Sequence, residues 1–336
     1  KCCTMNQLAV PWQVKRTMPA NRHKPDLWKA DIAKSVDMFN EWFLQFAPKT
    51  FRESRDRATF EVASALAQTG FLRNLNPEIL ASHPEFLPVL RMTTCPPIAR
   101  DRLIGLAGVP PNLVKSMELE HATPPQMSDE ALQQGLAKIA QILRRLADLD
   151  ILVWLEADRE PGEGEVERAA TVIADRLCGA VADPTIRNAQ ERRQLHAIAT
   201  WLEAKGYARL GQDKTVRFRE MPAGTFAFRV NVPVTVGASG SVNIPADVAV
   251  AALGSKAGTL PVLIEAKSAG DFTNVNKRRK EEAVKMDQIR KTYGKRAQFA
   301  LFLCGYFDSG YLGYEAAEGI DWVWEHRIDD LAKLGL

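Results

Sequence analysis

Cysteine is scarce in this sequence, with five among 336 residues, an odd number that contains no Cys-x-x-Cys pair. Neither a disulfide framework nor a zinc knuckle is indicated, and a reducing compartment is expected. The five histidines are widely separated and lack His-Glu-x-x-His spacing, so no sequence-local transition-metal site is indicated. Catalysis built on a cysteine or histidine motif therefore has no support.

Long apolar runs are missing as well, since no stretch approaches the roughly 18 to 20 apolar residues that a membrane-spanning helix needs. The first residues lack the basic segment and apolar stretch of a secretory signal. The composition, 46% hydrophobic and 25% charged, is typical of a globular protein. We expect a cytoplasmic protein with no membrane segment, and the length predicts about two domains.

The first half of the chain has the periodicity of helices. Apolar residues recur every three or four positions in 28–46, 53–69 and 128–155, and Pro48 is predicted to end the first of these helices. An acidic, glycine-containing stretch at 156–165 resembles a linker. These patterns predict a helical N-terminal domain at 1–160 and a second domain at 161–336.

The second half combines strands with helices. Strands are predicted where Val, Phe and Thr alternate with polar residues, and a charged helix is predicted among them. The predicted strands are 215–219, 225–234, 241–251, 260–267, 298–304 and 321–325, and the charged helix is 277–293. The order predicts an α/β or α+β fold, with a mixed sheet flanked by helices.

Two carboxylates and a lysine are the strongest chemical signal. Asp247 and Glu265 are each nine residues from Lys256, which stands at the centre of a turn-like segment. A symmetric antiparallel hairpin would place Asp247 opposite Glu265, with uninterrupted alternation putting Asp247 on one face and Ala246 and Val248 on the other. Such a pair suits a hard divalent cation such as Mg²⁺. Lys267, on the same face as Glu265, would orient or help deprotonate a water molecule, which predicts phosphodiester hydrolysis.

These residues resemble a known family. Asp247 with Glu265-Ala266-Lys267, in a strand–strand–helix–strand order, resembles the PD-(D/E)XK nuclease core, although Pro245 stands two residues before Asp247 rather than directly before it. The longer text at 267–282 is similar to the XamI type II restriction endonuclease family. Segments at 28–48 and 96–103 are similar to that family too, so the resemblance extends over roughly 28–331.

The resemblance implies a Mg²⁺-dependent enzyme that cuts both strands of DNA at a short palindrome and leaves 5′-phosphates. The namesake of the family reads GTCGAC, which is the first candidate site. A palindrome implies a two-fold homodimer, and an accompanying DNA methyltransferase is expected. In this fold a further acid from the preceding helix often supports the metal, for which Glu191 or Glu203 is available and Glu191 is preferred.

A second set of residues is predicted to contact DNA. The segment 267–296 contains ten Lys and Arg against four Asp and Glu. Phosphate contacts are predicted for its basic cluster, and phosphate or base contacts for two asparagines. A solvated helix face is the alternative for the charged cluster. These residues are Asn274, Asn276, Lys277, Arg278, Arg279 and Lys280.

The segment 100–118 has the pattern of a helix-turn-helix, with Ala-Gly-Val at its turn and Val114 and Met117 facing inward. In this interpretation Asn112, Lys115 and Ser116 would face the DNA groove. An ordinary helical hairpin of the core explains the same pattern equally well.

Three other functions fit parts of these observations. A repair or recombination nuclease would recognise DNA structure rather than sequence. A helix-turn-helix regulator would bind DNA without cutting it, and a scaffold for protein partners would have no salt-dependent affinity for DNA. Metal-dependent production of discrete DNA fragments distinguishes the restriction endonuclease from all three.

Overall fold

A computed structural model of the chain describes residues 19–336, except 212–216, 237–239, 257, 274 and 295–296, and the side chains of 276–279 are also left out. The predicted strand at 215–219 lies partly outside this range, and the rest of it is wrong because a 3-10 helix spans Phe218–Glu220. None of the helices in the described part of the chain is both long and apolar enough to span a membrane.

The order of the elements is the one that the sequence pattern predicts. The first half of the chain is helical, and the second half combines strands with helices. The helices are α1 (Pro25–Gln68), α2 (Pro77–Ser82), α3 (Leu87–Met92), α4 (Arg100–Ala107), α5 (Pro111–Leu119), α6 (Asp129–Arg145), α7 (Val153–Glu156), α8 (Glu163–Ala204), α9 (Val275–Tyr293) and α10 (Ser309–Ala317). The strands are β1 (Ala208–Arg209), β2 (Thr225–Val236), β3 (Gly240–Ala251), β4 (Val262–Ala269), β5 (Phe299–Gly305) and β6 (Asp321–Trp324). A 3-10 helix at Glu325–Leu334 follows β6.

The described residues form two compact units. One comprises residues 19–44 and 188–336, and the other comprises 45–187. The second unit is helical, and its core of buried residues draws on all of its helices. The first unit contains the sheet. The predicted division at 160/161 thus differs from these bounds. The roles that we expect of the two parts, possible DNA recognition by 1–160 and nuclease activity in 161–336, stay predictions.

Two long helices run across the division, and the prediction that Pro48 ends a helix is wrong. Helix α1 continues through Pro48, and α8 continues through Pro184. A proline inside a helix removes one backbone hydrogen bond and bends the helix without always ending it. Each proline lies within a few residues of the boundary between the units.

Within the described residues, six strands form one mixed sheet in the order β1-β2-β3-β4-β5-β6. The pairs β2–β3 and β3–β4 are antiparallel, whereas β1–β2, β4–β5 and β5–β6 are parallel. The parallel crossovers contain α9 and α10, as a βαβ connection requires. The mixed sheet with flanking helices confirms the predicted α/β class.

The sheet is covered on both faces. Leu263, Leu301 and Trp322 pack in one cluster with Met286 and Ile289 of α9. Their alternating neighbours on β4, β5 and β6 pack in a second cluster with the last three turns of α8. Burial on both faces explains why β5 is apolar throughout rather than alternating.

In the paired strands β2 and β3, the set of alternate residues that faces each side of the sheet switches at one point. Main-chain pairs flank Arg229 and Asp247, namely Phe228↔Val248 and Val230↔Ala246. Arg229 has a left-handed backbone with φ of 53°. Beyond this point Ala246 packs in the α9 cluster, whereas Val248 packs in the α8 cluster. The predicted uninterrupted alternation of β3 is therefore wrong, because the ribbon turns over at Asp247.

The left-handed conformation of Arg229 predicts an unusual order of stabilities. A residue with a Cβ loses roughly 1 to 2 kcal/mol in this region, whereas glycine does not. Arg229→Gly should therefore have a free energy of unfolding about 1 kcal/mol larger than Arg229→Ala, since both lose the same side chain. Urea unfolding measures the difference. At Asn231, which is regularly paired on the same strand, alanine should be the more stable substitution, and the same order at both positions would contradict the argument.

Candidate active site

Strand β4 brings Glu265 and Lys267 to the face of the sheet that α9 covers. The pairs Val248↔Ile264, Ala249↔Leu263 and Val250↔Val262 are each symmetric about Lys256, which confirms the predicted register. Main-chain pairing of β3 with β4 stops at Val248, so Asp247 lies at the point where the two strands separate.

The side chain of Asp247 bridges the separating strands. The amide N–H of Ala266 donates a hydrogen bond of 2.8 Å to Oδ2 of Asp247. Burial and, in second place, the charge of Glu265 raise the pKa of Asp247 to about 6. The hydrogen bond from Ala266 N–H and the charge of Lys267 act in the opposite direction and lower this pKa. The two carboxylates are thus close enough for one to disfavour ionisation of the other.

Lys267 lies between two carboxylates. Its Nζ is 3.2 Å from Oε1 of Glu265 and 3.1 Å from Oε1 of Glu282, which belongs to α9. Burial by itself would lower the pKa of Lys267, but the charges of Glu265 and Glu282 outweigh burial and raise it. The ammonium form of Lys267 is therefore the stable form in the folded protein.

A second lysine reaches the same acid from α9. Nζ of Lys285 donates hydrogen bonds of 2.8 Å to Oε2 of Glu265 and of 2.8 Å to the carbonyl oxygen of Pro245. The two oxygens of Glu265 thus have different ammonium partners, Lys267 at Oε1 and Lys285 at Oε2. No sequence motif indicated a role for Glu282 or Lys285.

The donor set fits a hard divalent cation. Asp247, Glu265 and Glu282 provide three carboxylates against the two ammonium groups of Lys267 and Lys285, which leaves an excess of negative charge. Carboxylate oxygens are the ligands that Mg²⁺ prefers, and it usually takes one or two of them and keeps water or phosphate as its other ligands. Among the described residues, no three His, Cys, Asp or Glu side chains converge as a ready-made metal site. Asp247 and Glu265 are the pair that would hold the ion.

Glu191 lies near this pair, whereas Glu203 lies further along α8. The charge of Glu191 is among the interactions that raise the pKa of Asp247. Its Oε1 accepts a hydrogen bond of 3.0 Å from Arg229. Glu203 is exposed and follows Glu191 by twelve residues, roughly 18 Å along a helix axis. Of the two acids, Glu191 is thus the one near Asp247, and its role at a metal stays a prediction.

Gln194 supports β4 from the opposite face of the sheet. Its buried amide Nε2 donates hydrogen bonds of 3.2 Å to the carbonyl oxygens of Lys267 and Phe302. These contacts fix the backbone of β4 at Lys267 to the backbone of β5. No sequence motif indicated this role.

The predicted DNA-contact residues after β4 are only partly described. Asn274 lies outside the described residues. Asn276, Lys277, Arg278 and Arg279 belong to the first turns of α9, and their side chains are outside the description. Lys280 is exposed. Their contacts with DNA stay predictions.

The segment 100–118 does form two helices joined by a short turn. Gly108 has the left-handed conformation that ends α4, with φ of 59°. Val114 and Met117 are buried as predicted, whereas Asn112 and Lys115 are exposed and Ser116 is half-buried. A DNA-binding helix-turn-helix and a helical hairpin of the core both have this form, so the role of the three polar residues stays a prediction.

A fourth acid, Glu315 of α10, is fully buried behind the site. Burial, and next the charge of Glu282, raise the pKa of Glu315 to about 8. Glu315 is therefore mainly neutral at pH 7.

Comparison with known proteins assigns a class to this arrangement. The model of the XamI restriction endonuclease family matches residues 70–324. The type II restriction enzyme SalI of Streptomyces albus G is 49% identical over 315 residues, which cover 94% of this chain and 99% of that enzyme. A solved structure, protein VC1899 from Vibrio cholerae, matches 83% of this chain and 54% of its own at 14% identity, with a TM-score of 0.27. That score is too low to support any conclusion about the fold.

The family model and the relative together define a restriction endonuclease, which is a site-specific deoxyribonuclease. The chain belongs to the XamI restriction endonuclease family. This membership confirms the resemblance on which the expectation of an enzyme depended. It also decides against the non-catalytic regulator and the scaffold.

The raised pKa of Glu315 predicts a pH-dependent loss of stability. The folded protein keeps the proton up to about pH 8, whereas the unfolded chain releases it near the ordinary value of about 4.5. Stability should therefore fall as the pH rises between these values. Glu315→Gln removes this effect, so the variant should gain stability relative to the wild type from pH 5 to pH 8, by an amount on the order of a few kcal/mol.

Urea unfolding of both proteins at the two pH values measures this difference. Glu281→Gln is the control, because Glu281 is exposed on α9 and should give the same difference at both pH values. A constant difference between Glu315→Gln and the wild type would contradict a buried neutral carboxyl group.

Proposed function

We propose that this enzyme hydrolyses one phosphodiester bond in each strand of duplex DNA at a short palindrome, using Mg²⁺ and leaving 5′-phosphates. GTCGAC is the first site to test. The observation that carries the proposal is the convergence of Asp247, Glu265 and Lys267 where β3 and β4 separate. This convergence, in a mixed sheet with helices on both faces, also supports the PD-(D/E)XK assignment.

Each residue has a separate part in the proposed reaction. Asp247 and Glu265 would hold the Mg²⁺, which when bound polarises the phosphate and favours ionisation of water. The Lys267 ammonium would donate a hydrogen bond that holds the attacking water near the phosphorus. The water oxygen forms a bond to phosphorus and releases one proton to solvent, the bond to the 3′ oxygen breaks, and the 3′ oxygen takes a proton from solvent and leaves as a hydroxyl.

The proposal includes partners that follow from a palindromic site. A single polypeptide that cuts both strands symmetrically needs a second copy related by a two-fold axis. We therefore propose a homodimer with one active site per strand. A DNA methyltransferase of the same specificity would protect the host, and the enzyme would act in the cytoplasm, where both meet the DNA.

The first test is cleavage of a long duplex that carries GTCGAC sites. With Mg²⁺, the wild type should produce discrete fragments that end at one palindrome, and with EDTA it should produce none. Asp247→Asn and Glu265→Gln should each slow cleavage by about 1,000-fold or more while they still bind the duplex in EDTA. Fragment sizing and end sequencing give the rate, the site and the chemistry of the ends.

Asp287→Asn is the control for these variants, because Asp287 is an exposed acid of α9 that pairs with Lys291. It should cut at the wild-type rate. Wild-type rates for both Asp247→Asn and Glu265→Gln would overturn the active-site assignment. Failure of the wild type to cut this intact duplex would favour a structure-selective nuclease.

Lys280 tests the predicted phosphate contacts at the start of α9. If it neutralises a phosphate, Lys280→Ala should weaken metal-free binding equally for cognate and non-cognate duplexes, and should reduce the slope of log affinity against log salt by about one. Fluorescence anisotropy at several salt concentrations measures both. Lys49→Ala is the control, since Lys49 is an exposed lysine of α1 paired with Glu53, and it should leave the slope unchanged. An unchanged slope for Lys280→Ala would identify Lys280 as part of a solvated face.

A further inference from the structure

Glu282 stands at a position where the sequence pattern of α9 calls for an apolar residue. It precedes Met286 by four residues and Ile289 by seven, and both of these are buried in the core. Residues at this spacing share one face of a helix. Glu282 is only 2% exposed, as a member of that buried stripe would be. A carboxylate at such a position needs a specific partner, because burial of an unpaired charge is strongly unfavourable.

The partner of Glu282 is Lys267. The contact of 3.1 Å joins Oε1 of Glu282 to Nζ of Lys267. The same ammonium group contacts Oε1 of Glu265 at 3.2 Å. Lysine has a flexible four-carbon stem, and a single partner leaves its ammonium group free to rotate about that contact. A second partner restricts its position.

The two partners of Lys267 differ in what else they do. Glu265 also binds Lys285, and in the proposed reaction it would hold the metal ion. Glu282 has no such second duty in the proposed reaction. Its neighbour Glu315 is mainly neutral at pH 7 and so does not compete with it for the ammonium group. The contact with Glu282 can thus persist when a cation competes for the oxygens of Glu265.

We propose that Glu282 is a positioning residue that holds the Lys267 ammonium group beside the attacking water during DNA hydrolysis. This inference rests on the proposed function, since it gives Lys267 its place in the reaction. Glu282 itself does not touch DNA in this arrangement. Its removal should slow the chemical step and leave DNA binding unchanged.

The test compares three variants under single-turnover conditions on the GTCGAC duplex with Mg²⁺. Glu282→Gln keeps the volume of the side chain and removes its charge, whereas Glu282→Asp keeps the charge and removes one methylene group. Glu282→Gln should cut about 10- to 100-fold more slowly, the usual effect of losing a residue that orients a catalytic group. Glu282→Asp should recover most of that rate. Glu281→Gln, at the exposed neighbouring position, should cut as the wild type does.

A purely structural role predicts the opposite order, because the isosteric glutamine would pack better than aspartate in a buried site. The affinity of each variant for the duplex in EDTA should equal that of the wild type, and the thermal unfolding of each variant should begin above the assay temperature. Wild-type cleavage by Glu282→Gln, a slower rate for Glu282→Asp than for Glu282→Gln, or parallel losses of binding and rate would each overturn the inference. If the wild type itself does not cut, the proposed function fails first, and the inference fails with it.

A second measurement needs only the folded wild type, in case loss of a buried charge prevents folding of the variants. An ammonium group held close to two buried carboxylates exchanges its protons with water slowly, because the negative charges retain those protons and burial limits the access of water. Lysine labelled with ¹⁵N should therefore give an ammonium signal at neutral pH that is absent from Lys267→Met. Absence of that signal from the wild type would show that Lys267 is not held, and would overturn the inference.

Discussion

The ion pairs of Lys267 with Glu265 and Glu282 are the interaction on which the rest of the site depends. Asp247, Glu265 and Glu282 would repel one another if they stood alone in a buried place, since like charges at short range disfavour ionisation. The two ammonium groups of Lys267 and Lys285 allow these carboxylates to lie together. The partners are mutually necessary, because removal of one would leave another buried charge unpaired.

The position of Asp247 depends on a second constraint, which is the turn of the β2–β3 ribbon at Arg229. If β3 had continued with regular alternation, Ala246 and Val248 would pack in the same cluster, and they do not. The left-handed backbone of Arg229 lies at this turn. Residues in sparsely populated backbone regions persist where the surrounding structure compensates for them, often at functional sites. Here the change of face coincides with the point where β3 leaves β4 and Asp247 accepts the Ala266 N–H.

The sequence predicts the part of this structure that follows from local patterns. Alternating Val and Ile residues predict β3 and β4, and the symmetric position of Lys256 predicts their register. The same reasoning predicts that Glu265 and Lys267 share a face. It fails at Pro48, where the helix continues, and at Asp247, where the ribbon turns over, since both outcomes depend on tertiary contacts that local periodicity does not contain.

Glu282 and Lys285 were missed for a related reason. In a helix with many charged residues, a further glutamate and a further lysine fit a solvated face, which is the usual explanation of such runs. The signal that distinguishes Glu282 is its place in the stripe of Met286 and Ile289, where a buried charge needs a partner. Lys285 has no comparable signal, because its partner Glu265 is distant in sequence. Gln194 also acts through distant backbone groups, so only the folded chain reveals it.

The balance of charge at the site explains how metal and DNA would depend on one another in the proposed reaction. Three carboxylates and two ammonium groups leave one excess negative charge, which would repel a phosphate that arrived alone. A divalent cation reverses the sign of that excess, and the single negative charge of a phosphodiester then neutralises it. The bound cation thus removes the repulsion between the site and the phosphate, and the bound phosphate neutralises the positive charge that the cation leaves. Because such coupling is reciprocal, DNA should strengthen metal binding by the same factor by which the metal strengthens DNA binding.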